Sequence, residues 1–343
     1  MNGAGILREM KQILSVKNLQ TSFFTEDGVV PAVDGITFSL KQGEVLGIVG
    51  ESGCGKSVTS LSIMGLVPNP PGKITGGEIE FDGRNLVGLD EKQMRQVRGN
   101  DIAMIFQEPM TSLNPLFTIG NQLVEAIRIH KKEWTKKETR NRAIEMLKLV
   151  GLPRAEELMK EYPHQLSGGM RQRVMIAMAL ICDPKVLIAD EPTTALDVTI
   201  QAQILKLIRE LNERLDTAVL MITHDLGVVA ETCERVVVMY AGQIVEEGPV
   251  NTIFKDPQHP YTKGLIKSVP DVRVKKEKLY SIPGNVPKPG TVRSGCRFAA
   301  RCEFAFDRCM NENPGLYETS DVHKTRCFLY DETEVSVNDH ALA

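Results

Sequence analysis

The chain has 343 residues, 42% of them hydrophobic and 25% charged, with a formal net charge of −3. This length allows one large or two modest domains, and the composition excludes wholesale disorder. The charge balance offers no general attraction to nucleic acid or to an anionic membrane, so no nucleic-acid partner is expected and any membrane contact should run through protein. No apolar run reaches bilayer-spanning length, and the opening MNGAGILREMKQ lacks the basic, apolar, small-residue order of a secretion signal, so a cytosolic chain is expected. In a reducing compartment the seven cysteines read as metal ligands or buried thiols rather than disulfides.

Residues 13–16 and 32–40 are β-rich, and the turn residues Glu26-Asp27-Gly28 between them predict an antiparallel layer. The apolar run Glu44-Val-Leu-Gly-Ile-Val49 reads as a buried strand, followed by a glycine-rich turn and a helix over residues 56–64. Between about 115 and 178 the pattern turns helical, with Leu123, Ile127, Ile144, Leu147 and Val150 as apolar anchors, predicting an inserted helical subdomain. Buried strands at 186–189 and 219–223 flank a helix whose Ile204, Ile208, Leu211 and Leu215 share one face. Alternating strands and helices imply an α/β fold with a parallel sheet covered on both sides. After Gly248, turns such as Asp256-Pro257, His259-Pro260 and Pro283-Gly-Asn-Val-Pro-Lys-Pro-Gly290 mark a separate C-terminal appendage, and the polar stretch from about Asp331 predicts a frayed tail.

Gly50-Glu51-Ser52-Gly53-Cys54-Gly55-Lys56-Ser57, ahead of Val58, fits G-x-x-x-x-G-K-[ST] between a buried strand and a helix. The glycines let successive N–H groups face phosphate oxygens, and the helix N-terminus adds a favourable field. Lys56 suits the β- and γ-phosphates and Ser57 suits Mg²⁺. A glycine-rich turn that binds nothing is a poor competitor once strand and helix agree. Asp190 and Glu191 end an apolar strand at the sheet edge where α/β ligands bind; alternation assigns Asp190 to the Mg²⁺ shell and Glu191, facing the other way, to activation of water. Alone, such a pair is more often a solvated turn; beside a phosphate loop the odds reverse. His224 reaches the same edge and could sense a γ-phosphate, and Gln107 could orient water or complete the Mg²⁺ shell, although either side chain in isolation would be read as structural. Leu166-Ser167-Gly168-Gly169-Met170 precedes a helical segment, so Ser167 and the glycines cap free N–H groups, an arrangement that also serves as an ordinary turn.

In this order, and with Ala195-Leu196-Asp197, these motifs resemble the ABC transporter ATPase family over about residues 13–262. The resemblance implies a P-loop NTPase fold with a RecA-like parallel sheet core, an antiparallel β layer and a helical subdomain at about 115–178. It further implies a head-to-tail dimer in which ATP lies between one subunit's phosphate loop and the other's Ser167, Gly168, Gly169, Met170 and Gln172. Phe23 would stack on adenine, Asp197 would communicate across the dimer, and the region after Gln107 would receive a coupling helix from a membrane subunit. Met170 replaces the glutamine frequent in the signature motif, with little expected loss because Ser167 and backbone make the main contacts.

Gln107-Glu-Pro-Met-Thr-Ser-Leu-Asn-Pro115, His259-Pro-Tyr-Thr262 and Pro283-Gly-Asn-Val-Pro287 are similar to the dipeptide/oligopeptide permease ATPases, whose relatives also take up nickel, and Gly50 to Leu66 is most similar to the first, D-type, of that system's two ATPases. Implied partners are a second, different ABC ATPase, two membrane permease subunits and an extracytoplasmic substrate-binding protein, with the chain peripheral on the cytoplasmic membrane face.

Residues 263–343 would form the C-terminal region of that branch. Its Cys296, Cys302, Cys309 and Cys327 lie in a turn-rich segment with little core, where a metal would add stability. Structural zinc favours tighter C-x₂₋₄-C pairs and iron–sulfur clusters tolerate wider spacing. The resemblance implies a [4Fe–4S] cluster, with zinc and buried free thiols as alternatives. A soluble ABC protein of translation or repair usually fuses two ATPase units or inserts coiled coils, which this chain does not. A regulator without turnover is opposed by Lys56, Glu191 and His224 being intact, and an exporter is opposed only by the branch resemblance.

Overall fold

The computed structural model describes residues 11–107, 112–194, 197–269, 280–292 and 294–331. The first hairpin joins β1 (Gln12–Thr25) to β2 (Gly28–Lys41) through the expected turn. The buried run follows as β3 (Val45–Val49) and passes through the glycine-rich loop into α1 (Lys56–Ile63). The chain then adds β4 (Gly72–Phe81), β5 (Arg84–Asn85), α2 (Glu91–Val97) and β6 (Ile102–Ile105). An antiparallel sheet in the order β2-β1-β4-β5 forms the outer layer.

The helical stretch resolves into α3 (Ile119–His130), α4 (Lys136–Leu149), α5 (Ala155–Leu158) and α6 (Gly168–Leu180). Thr118 caps α3, and Thr135 caps α4 in a reciprocal box with Glu138, satisfying N–H groups that a helix start leaves bare. Leu123, Ile127, Leu147 and Val150 are buried, whereas Ile144 is only partly covered.

Beyond these lie β7 (Val186–Asp190), α7 (Val198–Leu215), β8 (Ala218–Thr223), α8 (Leu226–Thr232), β9 (Arg235–Tyr240) and β10 (Gln243–Pro249). The second sheet has the order β11-β12-β10-β9-β3-β8-β7-β6, where β11 (Tyr317–Ser320) and β12 (His323–Thr325) come from the C-terminal region. Strands β9, β3, β8, β7 and β6 run parallel. Side chains of β3, β8, β7 and β6 alternate mainly between two cores, while Val49 of β3 and Val236, Val238 and Tyr240 of β9 pack in a third with Ile253, Tyr261 and Phe298. Leu46, Ile48, Ile188 and Leu220 pack toward the antiparallel layer with Leu14, Ile36 and Ile79, while Leu187, Val219 and Met221 pack toward the helices with Ile204 and Ile208. Strands sandwiched in this way have no solvent face, which is why they read as continuous apolar runs.

The C-terminal region contributes more than a tether. Helices α9 (Val250–Lys255) and α10 (Pro260–Ser268) follow β10 directly, and after the cysteine segment and α11 (Asp307–Asn311) the chain returns to pair β12 antiparallel with β10. The expected appendage thus continues the core sheet, while the predicted tail past Asp331 lies outside the described residues. Glu246 of β10 secures this join: fully buried, it accepts from the Gln258 and His259 N–H groups at 2.7 and 3.0 Å and bonds His323 Nε2 at 2.8 Å. No helix among the described residues is long and apolar enough to cross a membrane.

Glu246→Ala would leave two backbone donors and an imidazole without their acceptor, so a stability loss of about 3 kcal/mol is expected from denaturant midpoints. Glu318→Ala, which removes an exposed ion pair between β11 and Lys324 of β12, should leave the denaturant midpoint unchanged.

Candidate active site

Strand β3 delivers the phosphate loop to the C-terminal edge of the parallel sheet. Gly50 has φ +154° and Gly55 has φ +102°; a Cβ at Gly50 would lie 2.2 Å from the Met239 carbonyl oxygen and one at Gly55 would lie 2.5 Å from that of Ala32. Both close approaches require glycine. Lys56 is 6% exposed, and its ammonium donates to the Gly50 and Glu51 carbonyls at 2.8 and 3.1 Å. Cys54 is buried behind the loop.

Asp190 ends β7 beneath α1, where it accepts from Ser57 Oγ and Ser60 Oγ, each at 3.3 Å. Burial is the largest effect on its carboxyl and raises it above the usual carboxylate range. An enclosed acid met only by long hydroxyl contacts fits a place that a divalent cation would neutralise, and Ser57 is already within reach of it.

Glu191 turns away from Asp190, as expected, but by a different device. It has left β7 and holds φ +48°, an uncommon conformation for a residue with a Cβ, fixed by its N–H donating to the Ile222 carbonyl at 2.8 Å. Its carboxylate accepts from Gln107 Nε2 at 3.1 Å and Thr194 Oγ1 at 2.9 Å, and His224 Nδ1 lies 3.1 Å from the other oxygen. Burial alone would raise this carboxyl; the hydrogen bonds from His224, Thr194 and Gln107 outweigh it and hold the group below the usual carboxylate range. It is therefore a carboxylate at neutral pH, held by three oriented donors.

Two clefts meet at these residues and share Ser52, Gln107 and Glu191 in their linings. The larger, about 670 Å³, reaches from Gly50 and His224 to Leu265 and Val269 at the end of α10. The other, about 330 Å³, runs along the rest of the loop through Gly53, Lys56, Ser57 and Val58 to Phe23 and Pro289. One end thus offers phosphate-binding groups and a poised carboxylate, and the other an aromatic ring suited to a planar base.

Ser167 caps α6 by accepting from the Met170 N–H at 3.3 Å, and Ser167 and Gly168 are exposed. Neither they, Gly169 nor Met170 lines either cleft. Gln172 is buried, donating to the Pro192 carbonyl at 2.6 Å beside Glu191. Asp197 caps α7 through the Ile200 N–H at 2.9 Å. Residues 108–111 and 195–196, parts of two expected motifs, lie outside the described residues. Sequence reasoning missed Thr194 and Ser60, which act on the two carboxylates; Thr194 falls three residues after Glu191, a spacing that flags a turn.

Cys296, Cys302, Cys309 and Cys327 all line one tight pocket of about 20 Å³ walled by Phe298, Phe306 and Phe328. Burial, with the neighbouring thiols adding to it, pushes Cys296 up to about 11 and Cys327 up to about 12. Among the described residues, however, no three His, Cys, Asp or Glu side chains group as a metal site would require. The four thiols line a shared pocket without closing on a common centre.

Comparison with known proteins agrees with this geometry. A family model described as "ABC transporter" matches residues 33–194, and one described as "Oligopeptide/dipeptide transporter, C-terminal region" matches residues 245–309. The chain is 54% identical over 323 residues to the oligopeptide transport ATP-binding protein AppD of Bacillus subtilis (strain 168), covering 94% of this chain and 98% of that one. It is 50% identical over 315 residues to the dipeptide transport ATP-binding protein DppD of Escherichia coli (strain K12), covering 92% and 96%. Among solved structures, the dimeric post-hydrolysis state of the ATP-binding cassette MJ0796 bound to ADP and Pi superposes with a TM-score of 0.62 at 31% identity, covering 69% of this chain and 99% of that one. With the phosphate loop, the paired carboxylates and the terminal hairpin assembled as described, the chain belongs to the ABC transporter ATPase family, in the branch that carries the oligopeptide/dipeptide transporter C-terminal region.

Proposed function

We propose that this chain hydrolyses ATP to drive uptake of dipeptides or oligopeptides through membrane-embedded partner subunits. The observation that carries the hydrolytic step is Glu191, a carboxylate kept ionised by His224, Thr194 and Gln107 at the junction of the two clefts. The cargo rests on relatives of nearly the same length that are named for oligopeptide and dipeptide transport.

In this reading the N–H groups of residues 50–57 and the start of α1 hold the polyphosphate, and Lys56 exchanges the Gly50 and Glu51 carbonyls for phosphate oxygens. Ser57, Asp190 and Gln107 hold Mg²⁺, which when bound offsets negative charge on the phosphates. Glu191 accepts the proton of the attacking water, Gln107 and His224 orient that water and the γ-phosphate, and Phe23 stacks on adenine. The exposed Ser167 to Met170 face, backed by Gln172, serves the site of an opposed subunit, with Asp197 communicating across the interface. That subunit is a second, different ATPase. The unit over 13–262, with its helical subdomain at about 115–178, docks on two permease subunits at the cytoplasmic face of the membrane, and a substrate-binding protein outside selects the cargo.

Within the region over 263–343, Cys296, Cys302, Cys309 and Cys327 hold a [4Fe–4S] cluster, with zinc as the alternative. Support comes from the donor set, four soft ligands lining one pocket.

Glu191→Gln should lower ATP hydrolysis by about 100-fold or more while Mg-ATP binding persists. In cells, uptake of labelled dipeptides or longer peptides should vanish in the variant; loss confined to nickel would change the cargo, and uptake unaffected by the variant would reject the import reading. Protein purified without oxygen should contain about four irons and four acid-labile sulfides per chain. One zinc without iron would select the alternative, and neither metal would leave buried thiols.

A further inference from the structure

Glu51 is an acid in a loop built to hold an anion. The loop motif leaves its position free, and a carboxylate beside a polyphosphate is repelled unless its charge is cancelled. Here the cancelling group comes from 250 residues away. Arg301 makes a bidentate pair with Glu51, its two terminal nitrogens donating at 2.8 and 3.1 Å. The guanidinium also donates to the Pro283 carbonyl at 2.9 Å, to Tyr240 Oη at 3.3 Å and to the Ile282 carbonyl at 3.4 Å, so each of its N–H groups has an acceptor. Its side chain is 5% exposed.

Arg301 ends the short 3-10 turn Ala299–Arg301, directly before Cys302. Phe298, at the head of that turn, faces the cysteine pocket and also packs on Tyr240 and Tyr261, with ring centroids 5.2 and 5.5 Å apart. Tyr261 reaches the same loop residue from α10: its hydroxyl accepts the Glu51 N–H at 2.8 Å. The C-terminal region therefore grips Glu51 by both its side chain and its backbone, while Lys56 holds the Glu51 carbonyl.

We propose that Arg301 is a positioning residue for nucleotide binding: by clamping Glu51 it fixes the start of the phosphate loop and cancels the loop's carboxylate, so the cysteine-bearing region sets ATP affinity. The proposal rests on the ATPase reading of the cleft. It requires no metal at the cysteines, since every contact is made by the chain's own residues.

The test is equilibrium binding of Mg-ATP to the full-length chain by calorimetry, paired with steady-state hydrolysis. Arg301→Ala should weaken binding by about tenfold and raise KM alike, with kcat at saturating ATP within about twofold of the parent. Adding Glu51→Gln to Arg301→Ala should recover most of the lost affinity, because the repelling charge is gone. Arg301→Gln serves where the alanine variant does not fold, with melting midpoints checked in each case. Unchanged affinity in a folded Arg301 variant, or a double variant as weak as the single one, would overturn the proposal. A parent chain that binds no Mg-ATP would overturn the nucleotide reading beneath it, whereas binding without hydrolysis would leave the clamp standing.

Discussion

Val49 pairs with Thr223, and Asp190 pairs with Ile222, in a parallel ladder without register shifts. This alignment brings the phosphate loop after β3, the two carboxylates at the end of β7 and His224 after β8 to one edge of the sheet, although they lie far apart in sequence. It also sorts most side chains of β3, β8 and β7 between the two cores that flank them. Because the strand period is two, a slip of one residue would exchange those faces and carry Asp190 away from Ser57 and Ser60. The site thus depends on the same burial that stabilises the sheet, and the chemistry needs no separate scaffold.

Local patterns revealed much of this. The phosphate loop, the buried strands, Ser167 as a helix cap and the carboxylate pair each occupy a few consecutive residues whose spacing carries its own physical reason. Three things were not legible because they depend on contacts across the chain. The first is the left-handed backbone of Glu191, which strand alternation mimicked by giving the right direction through the wrong geometry. The second is the approach of Thr194 and Ser60 to the carboxylates. The third is the return of the C-terminal region to β10, which short strands and proline-marked turns disguised as an appendage.

That return alters how the terminal region should be understood. Glu246 is at once a core strand residue, the acceptor for the turn into α10 and the partner of His323 on β12. The aromatic group Tyr240, Tyr261 and Phe298 joins a core strand end, α10 and the cysteine segment in the same fashion. Close-packed interiors have low compressibility and transmit strain, so these contacts couple the region to the phosphate loop.

The terminal hairpin also solves a problem of solubility. Strand β10 would otherwise end the large sheet with a row of unpaired backbone groups along Glu246 and Glu247, which invites pairing between molecules. The hairpin covers that row and substitutes β11, a short edge of four residues carrying the exposed Glu318, and short charged edges discourage a further strand. A chain cut at residue 309, where the matched C-terminal family region stops, would keep every phosphate-loop residue and still lose this cover. The tendency of such a fragment to self-associate would then reflect an uncapped sheet and not a defect in the nucleotide site.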